Sequence, residues 1–137
     1  MSELFKIDPR LLASSIAVAE GKLSTILLKN NRHFPWLILV PRVSNCSEII
    51  DLNQQQQIVL MQEISRVSSQ MKVFFQPDKL NIGALGNIVN QLHIHIIARF
   101  KHDEAWPHSL WQAGIVDEPY GSEELGELVN RLRSLFN

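Results

Sequence analysis

The chain has 137 residues, 45% of them hydrophobic and 20% charged, which suits one domain whose core needs no disulfide or metal to hold it. With 13 basic and 14 acidic side chains its formal charge is −1, so general nucleic-acid binding through a basic surface is excluded, while one nucleotide in a local pocket is not. Cys46 is the lone cysteine, Met1 to Lys6 carry no apolar export run, and nothing approaches the ~20 apolar residues of a membrane span, so a cytoplasmic location is expected.

Asp8-Pro9 has the form of a helix start, with Asp8 as N-cap and proline at the first helical position. Leu11, Leu12 and Ile16 would then form its buried side. Leu23 to Lys29 and Trp36 to Val40 are apolar runs separated by the polar segment Asn30 to Pro35, which predicts two strands joined by a loop. Asn53, with Gln56 three residues later, forms a capping box for a long helix. Met61, Ile64, Val67, Met71 and Phe74 recur along it at helical spacing, and Gln54 to Gln57 read as its solvated first turn. Gln76-Pro77-Asp78 ends that helix, and a strand from Leu80 to Leu85 and a tight loop from Gly86 to Asn90 follow. Residues 101–119 have no clear period. Ser122 is read as the cap of a final helix with Leu125, Leu128, Val129, Leu132 and Phe136 facing inward. This order predicts one α+β domain over residues 1–137: an antiparallel sheet of about five strands, one long helix and flanking helices.

The run Gln91-Leu92-His93-Ile94-His95-Ile96-Ile97 alternates polar and apolar residues with the period of a strand. Gln91, His93 and His95 therefore share one face, and Leu92, Ile94 and Ile96 the other. Folding alone gives no reason to set two imidazoles side by side. Chemistry on phosphates, metal binding or a proton switch does. Metal binding by His93 and His95 needs further ligands, and Cys46, His33, His102 and His108 show no ligand spacing relative to one another.

Residues 91–97 resemble the signature of the histidine triad (HIT) superfamily, His-φ-His-φ-His-φ-φ with φ apolar, except that Gln91 stands in the first position. The glycine-containing loop Gly86 to Asn90, the downstream Trp106-Pro107 and the upstream strand ending Val40-Pro41-Arg42 are similar too. Leu80 to Trp111 looks like a bacterial HIT-like subgroup with glutamine in that position, and the resemblance covers roughly residues 20–111.

The resemblance implies a nucleotide hydrolase or nucleotidyl transferase that acts at an α-phosphate through a covalent nucleotidyl-histidine. His93 corresponds to the nucleophile and His95 to the phosphate contact. Gln91 can hydrogen-bond a phosphate or orient His93, but it cannot titrate. Asn87 keeps an amide where many members have a phosphate-contacting glutamine. Ile88 stands where hydrolysing members often have serine or threonine, and it cannot donate a proton. Asn30 and Asn31 lie where the family often touches ribose hydroxyls, although asparagine in a turn also has purely conformational uses. Trp106 and Trp111 would cover a nucleobase or partner, or anchor their loop. Asn81 faces either the pocket or water, and Arg99 and Lys101 either attract phosphate or are simply solvated.

Nucleoside phosphoramidates, dinucleoside polyphosphates and nucleotide sugars are the candidate substrates. No cofactor is required, though magnesium can accompany polyphosphates, and a homodimer with two sites is implied. Two other readings stay open: a non-catalytic nucleotide-binding protein, motivated by Gln91 and Ile88, and a metal-binding protein using His93 and His95.

Overall fold

A computed structural model describes residues 4–112 and 114–137, so Met1 to Glu3, part of the stretch read for an export signal, lie outside the described residues. Asp8 accepts a hydrogen bond from the Arg10 amide at 2.9 Å and Pro9 opens helix α1, Pro9–Leu12, as its sequence predicts. The helix is a single turn, however. Leu11 is buried, Leu12 is exposed, and Ile16 belongs to a strand, β1, Ser15–Glu20. Periodicity does not foresee this strand because its alanines carry little strand preference. Antiparallel pairing with the next strand supplies what local propensity lacks.

Strands β2, Ser24–Lys29, and β3, Trp36–Pro41, are followed by helix α2, Gln54–Phe75, then β4, Lys79–Gly83, β5, Ile94–Arg99, and helix α3, Ser122–Phe136. The sheet has five strands in the order β1-β2-β3-β5-β4, and every neighbouring pair is antiparallel. The expected α+β architecture is therefore the observed one. β3 is buried along its whole length because both faces of the sheet are covered. On one face Leu28, Leu37, Leu39, Ile94 and Ile96 pack with Leu60, Val67 and Met71 of α2 and Val129 and Leu132 of α3. On the other, Leu27, Trp36, Ile38 and Ile97 pack with Leu11, Phe34, Ala105 and Leu110.

Helix α2 has the predicted capping box, with Asn53 accepting from the Gln56 amide at 2.8 Å. Its buried stripe is the predicted one except at its first member: Val67 and Met71 are buried, Ile64 and Phe74 pack against the same core, and Leu60 takes the place expected of Met61. Val59 is buried as well, whereas Met61 is 62% exposed. Leu60 and Met61 lie about 100° apart around a helix, so spacing alone does not choose between them. Met71→Ala should cost about 2–5 kcal/mol by opening a cavity, while Met61→Ala should stay within about 0.5 kcal/mol. Urea denaturation of the two variants checks this.

Several boundaries differ from expectation, most of them by one residue. β4 stops at Gly83 rather than Leu85, and β5 begins at Ile94 rather than Gln91. Gly121 is the N-cap of α3, without a side-chain cap bond, and Ser122 is its first helical residue. Among the described residues no helix is long and apolar enough to cross a membrane.

Candidate functional site

The site lies where the segment after β4 turns back into β5. Gly86 makes that turn with φ +72°, a left-handed conformation that side chains resist. Leu92 is then pinned by an amide hydrogen bond to the Cys46 carbonyl at 2.9 Å and buried against the helical face. Alternation puts His93 and His95 on the opposite face even though His93 precedes the strand proper. Their ring centroids are 4.8 Å apart with planes at 76°. The same-face pairing expected of these two residues is what the fold delivers.

Each ring has one nitrogen fixed by a neighbour. His93 Nδ1 lies 2.7 Å from the Gln91 carbonyl oxygen, which can only accept, so the neutral ring carries its proton on Nδ1 and keeps a lone pair on Nε2. His95 Nδ1 accepts from the Trp36 indole N–H at 2.9 Å. Burial, with His93 and Lys29 adding to it, holds His95 down to about 3, so it is neutral at physiological pH. Trp111 forms a further wall, its ring 5.8 Å from that of His95. Gly83, opposite His95 in the register, makes room for it, since a Cβ there would sit 2.7 Å from the indole edge. Beside His93 a cavity of about 260 Å³ opens, with Glu48, Ile49, Ile50 and Leu85 on its wall.

Gln91 reaches the histidines through its backbone, not its side chain. Its amide nitrogen donates to the Lys6 carbonyl at 2.9 Å, and its amide oxygen accepts from the Asp8 N–H at 2.8 Å. Both ends of the amide thus clamp the N-terminal arm, which corrects the expectation that this side chain works beside His93. Arg10 adds a third tie, donating to the Ile88 carbonyl at 3.1 Å. Gln91→Ala should free the arm, raising amide exchange of Asp8 at least about tenfold for a lost bond of roughly 1.4 kcal/mol. The exchange rates of core amides in β3 should not change.

Two comparisons with known proteins bear on this arrangement. The model of the HIT domain matches residues 11–102. A histidine triad protein of Bradyrhizobium japonicum is 41% identical, with 98% of this chain and 100% of that chain covered and a TM-score of 0.92. The chain belongs to the HIT family. A histidine triad protein of Marinobacter aquaeolei is similarly related, at 40% identity over 98% of this chain and 97% of that one, with a TM-score of 0.93. A Plasmodium falciparum diadenosine triphosphate hydrolase shares the fold at 20% identity and a TM-score of 0.63, over 98% of this chain and 84% of that one. No curated protein matches the chain.

The remaining candidates divide within this HIT domain. Asn87 and Ile88 sit on the exposed loop that leads to His93, with Ile88 85% exposed. Asn31 is fully buried, donating to Asp117 and accepting from the His33 amide, both at 3.1 Å. Asn30 accepts from the Tyr120 amide at 2.9 Å. Both asparagines therefore strap the segment before α3 onto the turn between β2 and β3, which is the conformational use of asparagine. Trp106 packs against Arg99, whose guanidinium carbon lies 5.9 Å from its ring, and so anchors its loop.

Arg99 is not solvated. It is 1% exposed, bonded to Asp103 through Nε at 2.9 Å and to Asn81 through Nη1 at 2.9 Å. Asn81 thus serves that buried pair, and Lys101 lies exposed beyond it. Among the described residues no group of three or more His, Cys, Asp or Glu is placed to hold a metal ion. The residues that sequence reasoning missed are Trp36 and the backbone of Lys6 and Asp8. Trp36 reads as one more apolar strand residue until the register sets it diagonally across from His95.

Proposed function

We propose that this HIT protein is a nucleotide hydrolase or nucleotidyl transferase that works through a covalent nucleotidyl-His93. The observation that carries the reading is the bond from His93 Nδ1 to the Gln91 carbonyl, which leaves the Nε2 lone pair as the nucleophile. Nε2 attacks the α-phosphorus, forming a P–N bond as the bond to the leaving group breaks. The leaving group departs with that electron pair and takes a proton from solvent. Water then attacks phosphorus, its proton goes to solvent, the P–N electrons return to Nε2, and the nucleoside monophosphate is released. His95 offers its Nε2–H to a phosphate oxygen where negative charge builds.

The likeness in fold to a protein named a diadenosine triphosphate hydrolase supports a nucleotide substrate. We place the chain in a bacterial branch with glutamine at the first triad position, working as a homodimer in a reducing cytoplasm that suits the free, buried Cys46. Magnesium would enter only with polyphosphate substrates. Ile88 offers no proton, and the Gln91 amide is already engaged, so leaving groups that need no strong acid fit best. That same observation favours a second reading, nucleotide binding without turnover.

The test is to incubate the protein with adenosine phosphoramidate or diadenosine polyphosphates and quench rapidly. An acid-labile adenylyl adduct mapped to His93, with AMP released, is the expected result. Nucleotide affinity without adduct or AMP would assign the binding role instead.

A further inference from the structure

We propose that Trp36 is a positioning residue that locks His95 in its Nε2–H tautomer, so that the second histidine always presents a proton, never a lone pair, toward the phosphate held by His93. Its catalytic meaning rests on the function proposed above; the tautomer itself does not.

Trp36 opens β3 and pairs with Ile97, while Ile38 pairs with His95, so Trp36 and His95 are diagonal neighbours on one face of the sheet. Such neighbours lie within reach of aromatic side chains. The indole N–H points at His95 Nδ1 across 2.9 Å. An indole nitrogen donates and never accepts, so the nitrogen it meets must be unprotonated. A neutral imidazole with Nδ1 bare carries its proton on Nε2. The Nδ1–H tautomer and the imidazolium would both set N–H against N–H, so Trp36 opposes both.

The clamp is itself held in place. Trp36 is 5% exposed, and the Lys29 ammonium sits 5.1 Å from its ring centroid. Asp117, 3.1 Å from Lys29, holds that cation there. The ammonium over the ring draws electron density from the indole and strengthens its N–H as a donor. On the other side of His95, Trp111 closes the cage. The two neighbouring imidazoles therefore carry opposite tautomers for separate reasons: a carbonyl oxygen accepts from His93 and keeps its proton on Nδ1, and an indole N–H donates to His95 and keeps its Nδ1 bare. One ring shows a lone pair, the other a proton, and the division does not depend on substrate.

The decisive variant replaces Trp36 alone by its benzothiophene isostere, which keeps the shape and removes only the N–H. Trp36→Phe is the simpler companion. Histidine ring ¹⁵N shifts and couplings report the tautomer without any turnover. Wild type should show His95 purely as Nε2–H with an acceptor-type Nδ1. The isostere should populate the Nδ1–H form, and kcat should fall about tenfold with KM within about twofold, as for an interaction made chiefly in the transition state. A wild-type His95 protonated on Nδ1, or an isostere with unchanged ¹⁵N shifts, overturns the proposal. If the shifts respond as expected but no AMP is ever released, the hydrolase reading falls and the tautomer clamp stands. If AMP is released and the shifts ignore the substitution, the clamp falls and the hydrolase reading stands.

Discussion

His93→Ala is expected to lower AMP release by at least about 10⁴-fold, the scale on which removing a covalent nucleophile acts. Alanine has no lone pair to offer phosphorus, and His95 cannot substitute, because its other nitrogen, Nε2, carries the proton. The fold should survive. His93 is buried at 7% exposure but borders a cavity and belongs to neither apolar core cluster, and its bond to the Gln91 carbonyl contributes about 1 kcal/mol. The far-UV spectrum should therefore match wild type, the melting temperature should shift by only a few degrees, and calorimetry should still detect nucleotide. Turnover within tenfold of wild type would remove His93 as nucleophile. Loss of the folded state would show that its ring is structural.

The largest effect on stability is expected at the pair Arg99 and Asp103, whose side chains are 2% and 5% exposed. Asp103 binds the guanidinium at 2.9 and 3.1 Å and also accepts from the amides of Phe100, Ala105 and Trp106. One carboxylate thus ends β5 and shapes the loop that leads to Trp111. Asp103→Ala strands a buried cation and three amides, and should cost about 3–5 kcal/mol in urea denaturation.

The pH dependence of that pair has a definite sign. Burial pushes the Asp103 carboxyl up, but hydrogen bonds from Arg99 and from the Phe100 and Trp106 amides outweigh it and hold the group below its ordinary 3.8. A carboxyl depressed on folding contributes its stability above the unfolded value and loses it as pH falls through the folded one. Wild type should therefore lose stability on acidification below about pH 4, and Asp103→Asn should lose less over that window. Equal slopes in the two proteins would mean that another carboxylate governs the acid limb.

Legibility followed the range of the interactions. The caps at Asp8 and Asn53 are contacts between residues two or three apart, and both are present as read. The helical stripe is legible in period and phase from Ile64 to Phe74, and only its first member is not, because Leu60 and Met61 fit the spacing equally and the sheet beneath α2 chooses Leu60. β1 is not legible in the sequence because its pairing with β2, not its own composition, makes it a strand. Arg99 reads as a phosphate contact or a solvated strand end because nothing local announces that Asp103 and Asn81 converge on it.

By itself the amino-acid sequence determined the side of β5 on which each residue falls. Successive side chains on an extended backbone alternate by local geometry, so Leu92, Ile94 and Ile96 had to leave His93 and His95 together on the other face. Only the tertiary structure decided what those histidines can do. Which nitrogen of His95 keeps its proton depends on an indole 59 residues away, and the use of the Gln91 amide depends on backbone 83 and 85 residues away. Proton placement is settled by whichever donor or acceptor the fold brings within 3 Å, and for His95 that partner lies on another strand.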